Sequence, residues 1–434
     1  MLKLGLATLL DLCFLVATVS AGKHWAFLVA GSNEYYNYRH QADVCHAYHV
    51  LRNHGFPEEN IIVMMYDDIA YSESNPVKGE LINRPGGPNV YPGVPKHYTG
   101  QDVRPDVFLK VLSGDAEGVK KLLGRDGKVI ESGPDDKIFV NFVDHGGPFV
   151  VCFPDSYLHA EDLHSTIKSM HANKHYKQMV IYMEACHSGS MFDKLLESNI
   201  NVFATTAANP NEDSYVCYYD DERQTFLGDV YSVSWMEDSD RENLTQETLQ
   251  RQYLIVKNET NTSHVMEYGD QKISNLKVAD FQGNLTSKTL TFSGSPYQRT
   301  LDAVPVSDVK LEILRRKMLT NSDNTEDQIA YEKLLKLKQE TEDYFKKIVE
   351  HVTHLPLYEI YLNAPLHLTD FKCYRESLML IRDMCPGLGY HKNDYISKQL
   401  KVIANMCEAD IPAQKIWAAI GRASYDSNIC IQST

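Results

Sequence analysis

Short apolar runs alternate with amphipathic segments through the first half of this chain. Each run is followed by polar or glycine residues, which predicts buried strands over residues 24–30, 61–66, 137–143, 178–183 and 202–208. Apolar positions at helical spacing lie between the runs, in residues 39–54 and near residues 160–173. Buried strands that alternate with helices are typical of a mostly parallel sheet covered on both faces, so we expect an α/β fold here.

The pattern changes after residue 283. Residues 284–308 are rich in Ser, Thr and Pro and show little helical periodicity, which predicts a linker. From about residue 309 onward the pattern is helical throughout. We therefore expect three parts beyond residue 21: an α/β domain over residues 22–285, a linker over residues 286–324 and an all-α domain over residues 325–434.

The composition narrows the class of protein. The chain has 434 residues, a net charge of −15, 43% hydrophobic and 23% charged residues, which excludes collagen, low-complexity disorder and a polytopic membrane protein. The acidic balance argues against nucleic acid as a partner, because no basic surplus is available to neutralise phosphates. Residues 301–434 hold 17 Lys and Arg against 19 Asp and Glu, so nearly all the acidity belongs to the first two-thirds of the chain.

The N-terminus has the pattern of a secretory signal peptide. In residues 1–21 one Lys precedes an apolar run that ends in the small residues of a cleavage site. The alternatives for this run are a buried strand or a membrane anchor, and no later stretch is long enough for a membrane span. We expect a secreted protein or one of the lysosome or endosome. Four glycosylation sequons support that route, at Asn243, Asn258, Asn261 and Asn284.

The cysteines divide into two groups. Four of them lie within the last sixty-odd residues, which in an oxidising compartment suggests two disulfide bridges. The other four beyond the signal peptide are scattered through apolar runs, where reduced buried thiols are the commoner state. These four are Cys45, Cys152, Cys186 and Cys217.

Two of the predicted strands run into reactive side chains. The third is followed by His145 and the fourth by Cys186. The carboxyl ends of parallel strands meet at one edge of a sheet, so these residues face each other if their strands are neighbours. An imidazole can take the thiol proton, and the thiolate then attacks an acyl carbon, while Gly146 leaves a backbone N–H beside the base for an oxyanion. The alternative is a core thiol and a core histidine; the strand-end positions beside glycines favour the dyad.

Histidines elsewhere give no firm metal site. His46 and His49 lie three residues apart on the first predicted helix, and residues 158–175 contain four histidines. Neither group has a second ligand pair at zinc spacing. We therefore expect no metal and no cofactor.

Several long motifs carry a family resemblance. They are GSNEYYNYRHQADVCHAY (31–48), VMMYDDIAYSESNP (63–76), VDHGG (143–147), YMEACHSGSMF (182–192) and ATTAANP (204–210). These segments closely resemble the legumain family of asparaginyl endopeptidases, over nearly all of residues 23–283 and more loosely beyond. The resemblance implies a caspase-like, mostly parallel sheet flanked by helices, followed by a C-terminal all-α disulfide-bridged prodomain. It also implies that Cys186 and His145 form the catalytic dyad and that Asn37 orients the imidazole.

The resemblance implies a specificity pocket for an asparagine side chain. An amide presents one carbonyl acceptor and one NH₂ donor, so a selective pocket needs a cation together with an anion. Structural salt bridges are the alternative interpretation of such charged residues. We expect Asn to be preferred, and Asp to be accepted only in acid. The implied pocket residues are Arg39, His40, Glu184, Ser214 and Asp229.

A latent precursor is implied as well. In the family, a helical prodomain covers the active site and is released in acid after self-cleavage at an asparagine. The basic run 315–317 is followed here by two candidate sites, Asn321 and Asn324, and we expect the acidic catalytic domain to attract that run near neutral pH. The implied partners are Asn-containing protein and peptide substrates, the chain's own prodomain and cystatin-type inhibitors. The implied disulfides are Cys373–Cys407 and Cys385–Cys430.

Three positions depart from the family pattern. His187 follows the predicted nucleophile where relatives often carry Glu, Asp213 stands where a second Ser is usual, and Val230 stands where an aromatic is common. Rival functions are an asparaginyl transpeptidase or ligase that uses the same acyl-enzyme, a transamidase that attaches lipid anchors, and a non-enzymatic inhibitor or binding protein. The presence of both Cys186 and His145 favours an enzyme.

Overall fold

The structure is a computed structural model that describes residues 22–284, 302–320, 324–389 and 393–431. Three predictions fall wholly or partly outside these residues. They concern the signal peptide, the first part of the linker and the candidate cleavage site Asn321.

A six-stranded sheet forms the centre of the first domain. Its strand order is β11-β8-β7-β3-β1-β2, with β11 antiparallel and the other five strands parallel. The five predicted runs are its parallel strands, although the second and fifth end earlier than expected. The six strands are β1 (His24–Ala30), β2 (Ile61–Met64), β3 (Lys137–Val143), β7 (Gln178–Glu184), β8 (Val202–Thr206) and β11 (Met266–Gly269).

Helices cover both faces of this sheet. Alternate residues of β1 enter different cores, because side chains of a strand point to opposite faces in turn: Phe27 packs with Phe142 on one side, and Leu28 packs with Phe139 on the other. This double burial explains why the strands are continuous apolar runs. The helices of this domain are α1 (Tyr38–Asn53), α2 (Pro105–Leu112), α3 (Ala116–Leu123), α4 (Ala160–Ala172), α5 (Val230–Arg241), α6 (Leu249–Glu259) and α7 (Ala279–Gln282).

Two small antiparallel sheets lie beyond the central one. The first joins β4, β5 and β6 after His145, and the second joins β10, β9 and β12. The sequence patterns did not predict these strands, which are short and polar in part. Their bounds are β4 (Gly146–Gly147), β5 (Val150–Phe153), β6 (Ser156–His159), β9 (Tyr215–Asp220), β10 (Thr225–Asp229) and β12 (Val304–Pro305).

The C-terminal region is helical and carries two disulfides, as expected. Cys373 bonds to Cys407 and Cys385 to Cys430, the pairs that the family resemblance implies. Helix α8 lies inside the predicted linker. Among the described residues, no helix combines the length and apolar character that crossing a membrane requires. The helices are α8 (Val309–Thr320), α9 (Thr325–Thr353), α10 (Tyr358–Asn363), α11 (Phe371–Met384), α12 (Ile396–Cys407), α13 (Ala413–Tyr425) and α14 (Asn428–Ile431).

Arginines of the C-terminal region contact the first domain at two places, α11 and the predicted basic run. Arg375 on α11 donates both terminal nitrogens to Asp162 on α4, at 2.8 Å each, and a further bond of 3.2 Å to Glu161. Arg315 and Arg316 of the expected basic run pair with Glu312 of their own helix, and the Arg316 guanidinium also lies 4.3 Å from the ring centroid of Tyr219 in the first domain. Attraction of this run by the carboxylates of the first domain stays a prediction.

Candidate active site

His145 and Cys186 lie at equivalent positions after two neighbouring strands. Val143 of β3 is in register with Glu184 of β7, and each reactive residue follows its strand by two positions. Paired strands lie about 4.8 Å apart, so the two loops leave the sheet side by side. The loops also touch, because a Cβ at Gly146 would lie 2.4 Å from the carbonyl oxygen of Cys186. Only glycine fits at position 146, whereas its predicted role toward an oxyanion stays a prediction.

Asn37 contacts the imidazole of His145. Asn37 occupies the N-cap position of α1 but makes no capping hydrogen bond. Its Oδ1 lies 2.8 Å from His145 Nε2, and its Nδ2 donates to the carbonyl of Asn33 at 2.9 Å. Since an amide oxygen can only accept, Nε2 carries the proton and Nδ1 is the basic nitrogen of the neutral ring. Burial, then the charges of Arg39 and Lys310, hold the pKa of His145 well below its usual value.

We expect Asn37→Ala to lower kcat for a peptide substrate by about 100-fold, because a misoriented base loses alignment with the thiol. KM should change less than kcat, since Asn37 Oδ1 lies 2.8 Å from the base but 3.5 Å from Arg39 Nη1 of the predicted pocket. Steady-state kinetics on the acid-treated full chain would measure both constants. Asn33→Ala is the matched control, because Asn33 takes part in this contact only through its backbone carbonyl. A loss in KM alone would contradict the orienting role.

Cys186 is buried beneath the C-terminal region. Its side chain belongs to an apolar cluster with Val306, Val309 and Ile313, which come from the segment after residue 302. The thiol lies 3.8 Å from Ser214 Oγ. Burial, followed by the negative charge of Asp213, raises the pKa of Cys186 well above its usual value. In this arrangement the thiol of the predicted nucleophile is covered and neutral, and a neutral thiol is a poor nucleophile.

The predicted pocket residues converge beside this dyad. Arg39 Nε donates to Asp229 Oδ1 at 2.9 Å, and Glu184 Oε2 accepts from the backbone N–H of Ser232 at 2.9 Å. Each of the three charged side chains is about 1% exposed or less. Among the described residues, Arg39 Nη2 and Glu184 Oε1 have no hydrogen-bond partner. Asp229 Oδ2 has no hydrogen-bond partner either among the described residues, so one buried donor and two buried acceptors are left among these side chains.

Burial controls the charges of the pocket carboxyls. It raises the pKa of Glu184 well above the usual value, and the nearby charge of Asp229 raises it further. Burial also raises the pKa of Asp229, although the Arg39 guanidinium opposes this effect. Each of the two carboxyls therefore takes up its proton at a higher pH than an ordinary carboxyl does.

His40 is neutral and is surrounded by polar side chains. Its Nδ1 lies 2.6 Å from Ser32 Oγ, and its two nitrogens lie 3.5 Å from Asp144 and 3.6 Å from Asp229. Burial, then the Arg39 charge, holds the pKa of His40 well below its usual value, so these contacts are not ion pairs.

Ligand atoms of His40, Asp144 and His145 lie within 4.8 Å of one another, close enough for a metal ion. Ser32 and Asn37 already contact the two imidazoles.

Three supporting residues were not predicted from the sequence. Asp43 lies one helical turn after Arg39 on α1 and accepts from Asn83 at 2.6 Å and from the backbone N–H of Asp229. Ser232 holds Glu184, and Ser32 holds His40. The spacing of Arg39 and Asp43 was a usable signal, because residues four apart share a helix face. The other two contacts depend on tertiary structure.

The remaining predicted residues lie at the surface or near a helix start. Asn324 caps α9, where its Oδ1 accepts from the backbone N–H of Glu326 at 3.0 Å. The four sequon asparagines are all exposed, as an acceptor position requires: Asn243, Asn258, Asn261 and Asn284.

Comparison with known proteins adds independent information about this arrangement. Residues 24–284 match the model of the peptidase C13 family. The chain is 49% identical to human legumain (Homo sapiens) over 91% of both chains, and 45% identical to hemoglobinase of Schistosoma japonicum over 75% of both. It is 38% identical to the vacuolar-processing enzyme delta-isozyme of Arabidopsis thaliana, over 93% of this chain and 90% of that protein. A solved structure of caspase-1 from Spodoptera frugiperda aligns at 12% identity and a TM-score of 0.33, over 57% of this chain and 87% of that chain.

These relatives confirm the resemblance that the sequence motifs indicated. The matched region contains the whole sheet and both reactive residues, and the full-length relatives extend the similarity into the helical region. The chain therefore belongs to the peptidase C13 family and is a cysteine endopeptidase.

Proposed function

We propose that this chain is the latent precursor of a lysosomal, endosomal or secreted endopeptidase that cleaves peptide bonds after Asn, and after Asp in acid. The observation that carries the specificity is the pair of unsatisfied atoms in the pocket, Arg39 Nη2 and Glu184 Oε1. The guanidinium would donate to the amide oxygen of an Asn side chain, and the carboxyl oxygen would accept from its NH₂. Substrates that lack either group would leave a buried polar atom unpaired, which penalises their binding.

The chemistry follows from the order of the groups. His145 Nδ1 would take the proton of Cys186, and the thiolate would attack the backbone carbonyl carbon of the Asn residue. The tetrahedral intermediate expels the amine, which receives the proton from His145, and leaves a thioester on Cys186. Water, activated by the same imidazole, then hydrolyses the thioester. Asn37 would keep Nε2 protonated and Nδ1 basic throughout.

The contacts of the segment after residue 302 support latency. Val304 pairs with Val216 of β9 as an antiparallel strand, and the backbone N–H of Val306 donates to the carbonyl of Ser214 at 3.0 Å. A peptide substrate would add to the same strand edge. Lys310 lies 3.8 Å above the ring of Tyr36 and 3.4 Å from Asp394, which is buried beside the pocket. The boundaries 22–285, 286–324 and 325–434 remain our proposal for catalytic domain, activation segment and prodomain.

The test is to incubate the full chain at about pH 4.5, where carboxyl groups titrate. Matched peptides that differ only in Asn, Gln, Asp or Ala before the scissile bond are then added, and products are mapped by mass spectrometry. We expect cleavage after Asn, little after Gln and none after Ala. Equal cleavage of all four peptides would contradict the proposed specificity.

The preference between Asn and Asp should depend on pH. A substrate carboxylate is repelled by Glu184 and Asp229 while these are charged, and protonation on either side removes the repulsion. We expect the kcat/KM ratio of Asp to Asn peptides to rise by about tenfold or more between pH 6 and pH 4. Paired progress curves at each pH would measure it. A constant ratio over that range would contradict the carboxyl-based pocket.

A further inference from the structure

The residue after the predicted nucleophile has an unusual environment. His187 is 2% exposed and adopts a left-handed backbone conformation, with φ of 54°. Its backbone N–H donates to the carbonyl of Glu212 at 2.8 Å, and its Nδ1 lies 3.0 Å from the carbonyl oxygen of Pro210. Because a carbonyl only accepts, Nδ1 carries the proton and Nε2 has a lone pair in the neutral ring.

That lone pair faces a carboxylate. His187 Nε2 lies 3.7 Å from Asp213 Oδ1 and has no hydrogen-bond partner among the described residues. A lone pair and an anion repel each other, whereas a protonated Nε2–H would donate to Asp213. The geometry therefore suits the protonated imidazole better than the neutral one.

The C-terminal region disfavours that protonated state. Ser307 Oγ donates to the other oxygen of Asp213 at 2.7 Å. The pKa of His187 lies below its usual value, chiefly because the ring is buried. Asp213, the Pro210 carbonyl and Glu212 oppose this effect, whereas the positive charge of Lys401 on α12 lowers the pKa further. Ser307 and Lys401 both belong to the C-terminal region. Release of this region would remove a hydrogen-bond donor that competes for Asp213 and a positive charge that opposes protonation of His187.

The same carboxylate acts on Cys186. After burial, Asp213 is the strongest influence that raises the pKa of the thiol; Ser214 lowers it and Glu184 raises it. The charged groups that face this pair from neighbouring elements are thus Asp213, Glu212, Glu184 and Lys401. His187 follows Cys186 directly in sequence. Unlike the groups just named, it can gain a positive charge in weak acid.

We propose that His187 and Asp213 are positioning residues that form a proton-switched pair controlling the ionisation of Cys186. In acid, His187 takes up a proton and donates Nε2–H to Asp213, which replaces an uncompensated anion near the thiol with a neutralised pair. At a given acidic pH the thiolate fraction is then larger than it would be beside an unpaired Asp213 carboxylate. This rests on the proposed function of Cys186 as nucleophile.

The experiment measures thiolate character directly. The full chain, incubated at about pH 4.5, is treated with iodoacetamide from pH 4 to pH 8, and alkylation of the Cys186 peptide is quantified by mass spectrometry. The variants are His187→Gln and Asp213→Asn. The matched control is His264→Gln. It removes an exposed histidine that pairs at 2.8 Å with Glu212, the residue before Asp213. Thermal unfolding of each variant is recorded in parallel, and kcat/KM for an Asn peptide is measured over the same pH range.

The two variants should give different pH profiles. One pKa unit is a tenfold change in thiolate fraction, so we expect His187→Gln to label about tenfold more slowly than wild type at pH 5 and equally at pH 7.5. Asp213→Asn should label about tenfold faster than wild type at pH 7.5 and at the wild-type rate at pH 5. His264→Gln should match wild type throughout.

Several results would overturn the inference. They are a uniform change at all pH values in His187→Gln, an Asp213→Asn rate equal to wild type at pH 7.5, and no labelling of wild-type Cys186 at pH 5. If labelling follows the expected profile but no Asn peptide is cleaved, the proposed function fails and the pair stands. If peptides are cleaved but the profiles of wild type and His187→Gln superimpose, the pair fails and the proposed function stands.

Discussion

Cys186→Ala is expected to lower kcat/KM for an Asn peptide by about 10,000-fold or more, because every covalent step passes through the thiolate. The substitution removes one sulfur atom from a buried side chain, so the fold should persist, and peptide binding should be retained. Turnover by the acid-incubated full chain measures the first effect. Fluorescence titration with the same peptide measures the second.

Cys45→Ala is the matched control for this substitution. Cys45 is also a buried reduced thiol, but it packs in the core that contains Leu28 and Phe139, with its sulfur 4.0 Å from that of Met65. We expect its turnover to stay close to that of wild type. Turnover that survives Cys186→Ala, or that is lost equally in both variants, would contradict the assignment of the nucleophile.

Arg375→Glu is expected to speed acid conversion of the precursor by about fivefold at pH 5.5, since the loss of a partly exposed ion pair is worth about 1 kcal/mol. The wild-type bridge joins α11 to Asp162 and Glu161 on α4. The variant replaces this attraction with repulsion, so release should begin at higher pH. Gel analysis of the full-length band against time, from pH 4 to pH 7, measures the rate.

Two further variants separate this contact from general damage to α11. Arg382→Glu changes an exposed arginine of the same helix that pairs with its neighbour Asp383, and it should convert at the wild-type rate. Adding Asp162→Arg to Arg375→Glu restores an ion pair of opposite orientation and should slow conversion again. Equal acceleration by both single variants, or no rescue in the double variant, would contradict the role of this bridge.

The core of the site was predictable because reactive residues follow apolar runs. Each of His145 and Cys186 comes directly after a strand whose continuous apolar pattern marks double burial, and the edge of a parallel sheet then brings them together. Asn37 is different. Its position before a helix predicts a cap, and only the folded structure shows that its oxygen turns to His145 instead of to the backbone.

The contacts that cover Cys186 were harder to predict from the sequence. Val306 lies in a Ser- and Thr-rich stretch that has no periodicity, so its packing against Cys186 left no local signal. Pairing of the basic run within its own helix was readable from the spacing of its charges. Glu312 stands three and four residues before Arg315 and Arg316, which favours pairing within the helix. Arg375, which bridges to Asp162 of the first domain, stands beside Glu376 and belongs to no basic run.

The most direct measurement is to map which thiol is labelled by a short peptide that carries a vinyl sulfone immediately after Asn. After acid incubation of the full chain, we predict a single adduct on Cys186, suppressed by excess Asn peptide. Replacing Asn by Gln in the probe should abolish the adduct, because the longer side chain cannot reach Arg39 and Glu184 together. Labelling of Cys45, Cys152 or Cys217 instead, or equal labelling by the Gln probe, would contradict an Asn-directed nucleophile at Cys186.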